Sequence, residues 1–385
     1  MTTQPTPLRT TLQRHVDNGT VPGAVGLVAR GAETEVVAVG SMDVEGTAPM
    51  TPDTIFRIAS LTKPITAAAV LALVEDGRVA LDAPVSRWLP ELAAPVVVRT
   101  PDSPVDDVVP AERPITVEDL LTFRVGWGFP ADFRLPAVQA LFDVHANGLA
   151  PYAMPDADAW LARLAEVPLL RQPGSAWLYN TGSDLQGVLV ARASGRSLPD
   201  FLAERIFEPL GMTDTAFEVP VAKRDRFPRS YAPDAPGGLR LLDTPDGGFG
   251  RAPVFASGAG GLVSTAADWL SFARMLLNGG GAPDGRRVLS PESVTRMTTD
   301  HLTAAERDAS TLFLEGQGWG YGGQVDVVRV APWNIPGRYG WTGGSGTAAH
   351  LVPSTGLVTI LLTQVAMTGP TPTGLMREFW GVAGV

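Results

Sequence analysis

Thr54-Ile-Phe-Arg-Ile-Ala-Ser60-Leu-Thr-Lys63-Pro64-Ile-Thr-Ala-Ala-Ala-Val-Leu-Ala-Leu-Val74 is the stretch on which the reading of the whole chain turns. From Ile65 to Val74 nearly every residue is apolar, so the pattern predicts a helix with no polar face, buried on all sides and central to the fold. Asp76-Gly77 closes it. Ser60 and Lys63 stand at its start, three residues apart, where side chains share a face and the first-turn backbone N–H groups have no helical partner. A serine there gains a base and a set of oxyanion donors together. The same residues also fit a helix-capping serine followed by a surface lysine. Against that alternative, Lys63 is one of only two lysines among 30 basic residues, the other being Lys223, and it opens an otherwise apolar run. A lysine committed to the interior has a lowered pKa and can act as a base near neutral pH.

Working outward, residues 7–18 carry helical spacing through Leu8, Leu12 and Val16, and two β-rich runs, Ala24 to Ala29 and Glu35 to Val39, form a hairpin across Arg30-Gly-Ala-Glu. Beyond Leu81-Asp-Ala-Pro84 a region of helices and Pro-rich loops extends to about residue 250. Helical patterns fall at Thr116 to Phe123, Asp158 to Glu166, Ser183 to Ala193 and Leu198 to Ile206, with few strand signals between them. A helix from Ala266 to Leu277 follows, then β-rich runs at Tyr321 to Val330, Gly346 to Val352 and Leu357 to Thr363, and a last helix around Thr373 to Trp380. Strands near both ends with helices between them predict a mixed α/β (α+β) fold. In it, residues 1–80 and 255–385 share one mainly antiparallel sheet flanked by helices, and 81–254 form a mainly helical inserted domain.

Composition bounds the function. The 385 residues, 45% of them hydrophobic, suffice for a large buried core, and Gly 42 with Pro 34 predicts many turns. The formal charge of −10 and the lack of any Lys/Arg block argue against nucleic acid or an anionic membrane as partner. With Cys 0, thiolate catalysis, disulfides and cysteine metal sites are excluded. The four histidines, His15, His145, His301 and His350, show no metal-ligand spacing, so no metal is expected and each reads as structural or exposed. Ile65 to Val74 is far shorter than the roughly 20 residues that cross a bilayer. Met1-Thr-Thr-Gln-Pro-Thr-Pro-Leu-Arg9 has no basic stretch followed by an apolar run, which predicts a cytoplasmic protein. Nothing in the sequence indicates an oligomeric state.

Two further segments bear on chemistry. Tyr179, in Trp177-Leu-Tyr-Asn-Thr-Gly182, precedes a predicted helix; its phenol becomes a base only if a cation lowers its pKa from about 10, and Lys63 is the available cation. Trp341-Thr342-Gly343-Gly344-Ser345-Gly346 reads either as a glycine-rich hairpin or as an edge strand that lets a substrate approach the backbone, where an N–H completes an oxyanion hole. Among the tryptophans, Trp127 and Trp341 are the candidates for lining an acyl pocket. No Gly-x-Ser-x-Gly elbow exists, which counts against the α/β-hydrolase route to ester cleavage, and Gly320 and Gly322-Gly323 lack a nucleotide-loop context.

In their order and separation these segments resemble the serine β-lactamase and penicillin-binding-protein superfamily. The likeness extends through Ile115-Thr-Val-Glu-Asp-Leu-Leu-Thr122, Arg205-Ile-Phe-Glu-Pro-Leu-Gly-Met-Thr-Asp-Thr215 and Ser257-Gly-Ala-Gly-Gly-Leu-Val-Ser-Thr265, and is greatest toward the carboxylesterases built on the class C β-lactamase fold. The resemblance implies Ser60 as nucleophile, Lys63 and Tyr179 as the proton-transfer pair, the N–H groups of Ser60 and Gly344 as oxyanion hole, and no cofactor. It also points to Trp341, Thr342, Gly343, Trp127 and Asn180 as substrate contacts. Two departures stand out. Tyr179-Asn180-Thr181 puts the amide one residue earlier than the usual Tyr-x-Asn, and Trp341 replaces a Lys or His, removing a partner for a substrate carboxylate. The expectation is a serine hydrolase that cleaves small-molecule esters through an acyl-enzyme. β-Lactam or D-amino-acid amide cleavage and acyl transfer are alternatives, and an inert binding protein of the same fold is the non-enzymatic one.

Overall fold

Alternation of small and β-branched residues makes Gly23–Arg30 (β1) a strand buried on both faces: Val25, Leu27 and Ala29 face one side, Ala24 and Val28 the other. It pairs antiparallel with Glu33–Gly40 (β2) on one flank and with Leu357–Thr363 on the other, Leu27 lying between Val36 and Ile360. A computed structural model describes residues 5–145, 153–235 and 237–384. The first four residues of the N-terminal stretch read above lie outside that range.

Around β1 the chain builds a seven-stranded antiparallel sheet. In sequence order its C-terminal strands are Gly318–Trp319, Gln324–Val325, Tyr339–Gly343, Thr347–Val352 and Leu357–Thr363, called β3 to β7, and the spatial order is β2-β1-β7-β6-β5-β4-β3. Two helices cover one face. Pro7–Asp17 (α1) sets Leu8 and Leu12, and Gly374–Val382 sets Phe379 and Trp380, over Ala24, Val28 and Leu361. The opposite face carries Val25, Leu27, Ile360 and Leu362 against Trp269 and Phe272 of Ala266–Leu277. Thr62–Glu75 (α2) lies deeper still; all but its last two residues are buried, as its sequence requires. It packs on Thr181–Ser194 (α3), so the helices between residues 81 and 254 and the sheet share one continuous apolar core.

The expected helices and strands appear within a few residues of their predicted limits, with two differences. Tyr321 to Val330 is not a strand: only Gln324–Val325 pairs, because Gly322 turns the chain at φ +75° on one side, and on the other, beyond the bond from the Asp326 N–H to the Arg338 carbonyl, the facing Arg338 N–H turns back to Ile335. The region 81–254 also holds two hairpins, Val96–Val98 with Val108–Pro110 and Ser230–Asp234 with Gly238–Asp243. Among the described residues no helix is long and apolar enough to cross a membrane.

Candidate active site

Ser60 enters α2 through a short 3₁₀ turn, Ala59–Leu61, and the residue before it is strained: Ala59 has φ +44°. A β-carbon disfavours that conformation, and residues held in it gather where the surroundings dictate a side chain's direction. The surroundings here are the β5–β6 turn. Thr347 Oγ1 donates to the Ile58 carbonyl at 3.1 Å, and Gly343 lies so close that a β-carbon on it would sit 2.5 Å from the same oxygen. Ser60 is therefore not the helix cap; Leu61 occupies that position. Its hydroxyl is turned toward Lys63 and Tyr179 instead.

Lys63 Nζ and Tyr179 Oη each lie 2.9 Å from Ser60 Oγ. Lys63 is 1% exposed, and Nζ also donates to the Ala259 carbonyl at 2.7 Å. Burial pulls its pKa down to about 7, against the opposing pull of the Asp184 carboxylate. Tyr179 precedes α3 and is followed by a second strained residue, Asn180 at φ +87°. Its hydroxyl accepts from Trp341 Nε1 at 2.7 Å. Burial nonetheless pushes its pKa up to about 12, and the bonds to Ser60 and Trp341 only moderate this. The phenol thus keeps its proton at neutral pH, and the condition under which it could serve as a base, a cation that lowers its pKa, is not met: the Trp341 indole supplies no charge.

These groups open on a cavity of about 440 Å³ lined by Ser60, Tyr179, Asn180, Gly344 and the rings of Phe129, Phe133, Phe142 and Phe313. A second, of about 100 Å³, meets it at Ser60 and is lined by Trp341 and Thr342. Ser60 and Gly344 line both, so the two backbone segments proposed as oxyanion donors face the same space. Among the described residues, the β5 strand past Gly340 has no partner on its β4 side, which leaves Trp341 and Thr342 at a local edge.

Two expected substrate contacts are placed elsewhere. Trp127 is 3% exposed, donates its indole N–H to the Val167 carbonyl at 2.9 Å and lies outside both linings. Gly343 is buried against Ile58 and Thr347, and its smallness serves that close approach. Sequence reading missed two others. Asp184, on the first turn of α3, accepts from Ser257 Oγ at 2.6 Å and from the N–H of Ala259, whose carbonyl holds Lys63. His145, buried, binds Thr181 Oγ1 through Nε2 at 3.0 Å, and burial lowers its pKa. The remaining histidines are structural or peripheral: His15 bonds Glu378, His301 stacks on Tyr321, and His350 is buried beside Trp380. Among the described residues no cluster of His, Asp or Glu could hold a metal ion.

Comparison with known proteins agrees with this architecture. Esterase EstB of Burkholderia gladioli is 34% identical over 376 residues, covering 90% of this chain and 88% of that protein. Lovastatin esterase of Penicillium rubens is 34% identical over 368 residues, covering 87% and 86%. The structure of EstCE1, a hydrolase with promiscuous acyltransferase activity, superposes with a TM-score of 0.82 over 98% of each chain at 23% identity, a likeness of fold. The sequence pattern of the beta-lactamase family matches residues 8–374, nearly the whole length, and the chain belongs to that family.

Proposed function

We propose that this protein is a serine hydrolase that cleaves carboxylic esters through an acyl-enzyme on Ser60. The observation behind this reading is the position of Ser60 Oγ, 2.9 Å from both a lysine that is half neutral near pH 7 and a phenol that keeps its proton. The two groups suit opposite tasks. Neutral Lys63 takes the Ser60 proton as Oγ attacks the carbonyl; Tyr179 gives its proton to the leaving oxygen and recovers one from Lys63. The N–H groups of Ser60 and Gly344 hold the oxyanion. In deacylation water takes the alcohol's place, its proton passing through the same pair to Ser60 Oγ. An alcohol in place of water gives acyl transfer at the same site.

Esters are favoured over β-lactams by Trp341. Its indole supplies one neutral N–H, and that N–H is committed to Tyr179, so a substrate carboxylate finds no charged partner there. The names of EstB and lovastatin esterase agree with ester chemistry. Intact-mass measurement after incubation with an alkyl fluorophosphonate tests the assignment: one adduct is expected, absent from Ser60→Ala. An adduct that persists in the variant would move the nucleophile elsewhere.

A further inference from the structure

The two cavities that meet at Ser60 differ about fourfold in volume, about 440 Å³ against about 100 Å³, and an ester has two halves to place. The chemistry of the leaving group says which half goes where. The departing oxygen must lie within reach of Tyr179 Oη to receive a proton. Tyr179 lines both cavities, but its hydroxyl is bonded at 2.7 Å by Trp341 Nε1, and Trp341 and Thr342 line only the small one. An alcohol leaving toward Tyr179 therefore leaves into the small space, and the acyl group, on the other side of the carbonyl carbon, faces the large one.

The walls of the large cavity state what it would hold. Phe129 and Phe142 stack at 4.7 Å, Phe133 meets Phe142 edge-on at 6.0 Å and Phe313 at 6.2 Å, and Phe313 stacks on Tyr179 at 4.8 Å. The result is a chain of ring contacts from Phe129 to Tyr179, beside the reacting atoms, with Phe313 shared by the small cavity. Ring faces and edges of this kind favour flat apolar groups. Arg57 is the only lysine or arginine among the described lining residues, and it grips Asp243 through Nε and Nη2 at 3.0 and 2.7 Å. Asp184, the lining carboxylate, is turned to Ser257 and the Ala259 N–H. Neither offers a charged substrate a ready counterion.

We infer that the preferred substrates are esters of bulky, uncharged, aromatic or cyclic carboxylic acids with small alcohols, the acid seated on the phenylalanine wall and the alcohol confined beside Trp341 and Thr342. The inference rests on Ser60 being the acylated residue. A volume of about 440 Å³ falls within the range of about 300–1,000 Å³ typical of pockets that enclose a drug-sized ligand, and about 100 Å³ falls below it.

A two-way panel tests it with the unmodified protein. One series holds the alcohol as methanol and enlarges the acid from acetic through phenylacetic to 2-naphthylacetic; the other holds acetate and enlarges the alcohol from methyl to 2-naphthylmethyl, which keeps the leaving group an ordinary alkoxide. The expected result is a kcat/KM that rises at least about tenfold along the acid series, as added apolar area is buried, and falls along the alcohol series. Ala366→Phe, which adds bulk to the large cavity alone, should depress the naphthylacetate rate far more than the acetate rate. A panel in which large alcohols are preferred over large acids, or in which neither series matters, overturns the inference while leaving Ser60 acylated. If no ester or phosphonate labels Ser60, the enzymatic reading itself falls.

Discussion

At the scale of single residues, the groups around Ser60 are defined more by what burial does to them than by their types. Lys63 is fully enclosed with a pKa lowered to about 7, and its neutral form is the competent one, so kcat/KM for a neutral ester should rise with pH and level off above about pH 7. A profile flat from pH 5 to 9 would remove Lys63 as the base. The same shift has a consequence for stability. In the unfolded chain the lysine binds its proton up to about pH 10.5, and in the folded protein only to about 7, so folding is opposed most below pH 7 and progressively less as pH rises to 10.5. Lys63→Met should therefore be inactive yet more stable at pH 6, by up to a few kcal/mol, with a gain that shrinks toward pH 10 in thermal melts; a gain independent of pH would contradict the shift. Trp341→Phe retains the ring but not the N–H, and should lower kcat by roughly 10 to 100-fold with KM little changed, the size of one donor to a proton-transfer group. Legibility at this scale follows locality. Ser60 and Lys63 share one turn of helix, so spacing reveals them as a pair. Asp184 reaches the site because α3 packs on α2, and His145, at the end of the helix Pro136–Val144, through its bond to Thr181 on α3; no local pattern marks either contact. Trp127 shows the converse, since an aromatic residue near a motif gives no sign of whether it faces a cavity or a carbonyl.

At the scale of elements, strain and close approach locate the site. Two of the four non-glycine residues with positive φ among those described, Ala59 and Asn180, adjoin Ser60 and Tyr179. Alanine carries no sign of such a conformation, whereas asparagine is among the non-glycine types most tolerant of positive φ, so Asn180 was the more legible of the two. Gly322 is a clearer case. The Tyr321 to Val330 run looks like a strand by its valines, but the chain turns at Gly322 with φ +75°, and a β-carbon there would stand 2.6 Å from the Lys63 carbonyl. That glycine lets the turn rest directly on the first turn of α2. Gly322→Ala must either shift the turn or push the helix start, and should lower stability by roughly 1–3 kcal/mol while reducing kcat through displacement of Lys63. Circular dichroism melts and steady-state kinetics on the same preparation check both; unchanged melting and unchanged kcat would show that the contact relaxes freely. Regular elements such as the buried α2 and the alternating β1 were readable because their period is written in the sequence, whereas turns decided by one backbone contact were not.

At the scale of the whole molecule, the largest apolar cluster draws on both parts of the expected division, residues 1–80 with 255–385 and residues 81–254. Ile65, Leu71, Leu73, Leu120, Leu189, Leu262 and Ile360 belong to it, so the helices between residues 81 and 254 share their main interior with the rest of the chain; a smaller cluster, Val98, Ala137, Val138, Leu170 and Leu178, lies wholly among them. Thermal unfolding should be a single transition, with near-ultraviolet dichroism, far-ultraviolet dichroism and activity lost together; two resolved transitions would restore two independent units. The overall charge acts on the same scale and bears on substrate choice. At a formal charge of −10 the protein repels an anion from a distance, and at the site Arg57 is engaged with Asp243 and the Trp341 N–H with Tyr179. A penicillin, which carries a carboxylate, meets both obstacles, and a neutral ester meets neither. Long-range repulsion is screened by salt, the screening length falling from about 30 Å at 0.01 M to about 10 Å at 0.1 M, whereas a missing local partner is not restored by salt. Raising the salt over that range should therefore improve penicillin turnover only modestly and leave the ester rate unchanged, with kcat/KM for the ester remaining orders of magnitude higher throughout. Penicillin hydrolysis comparable with the best neutral ester at either salt concentration would show that the site holds a carboxylate after all, and would return the protein to β-lactam chemistry.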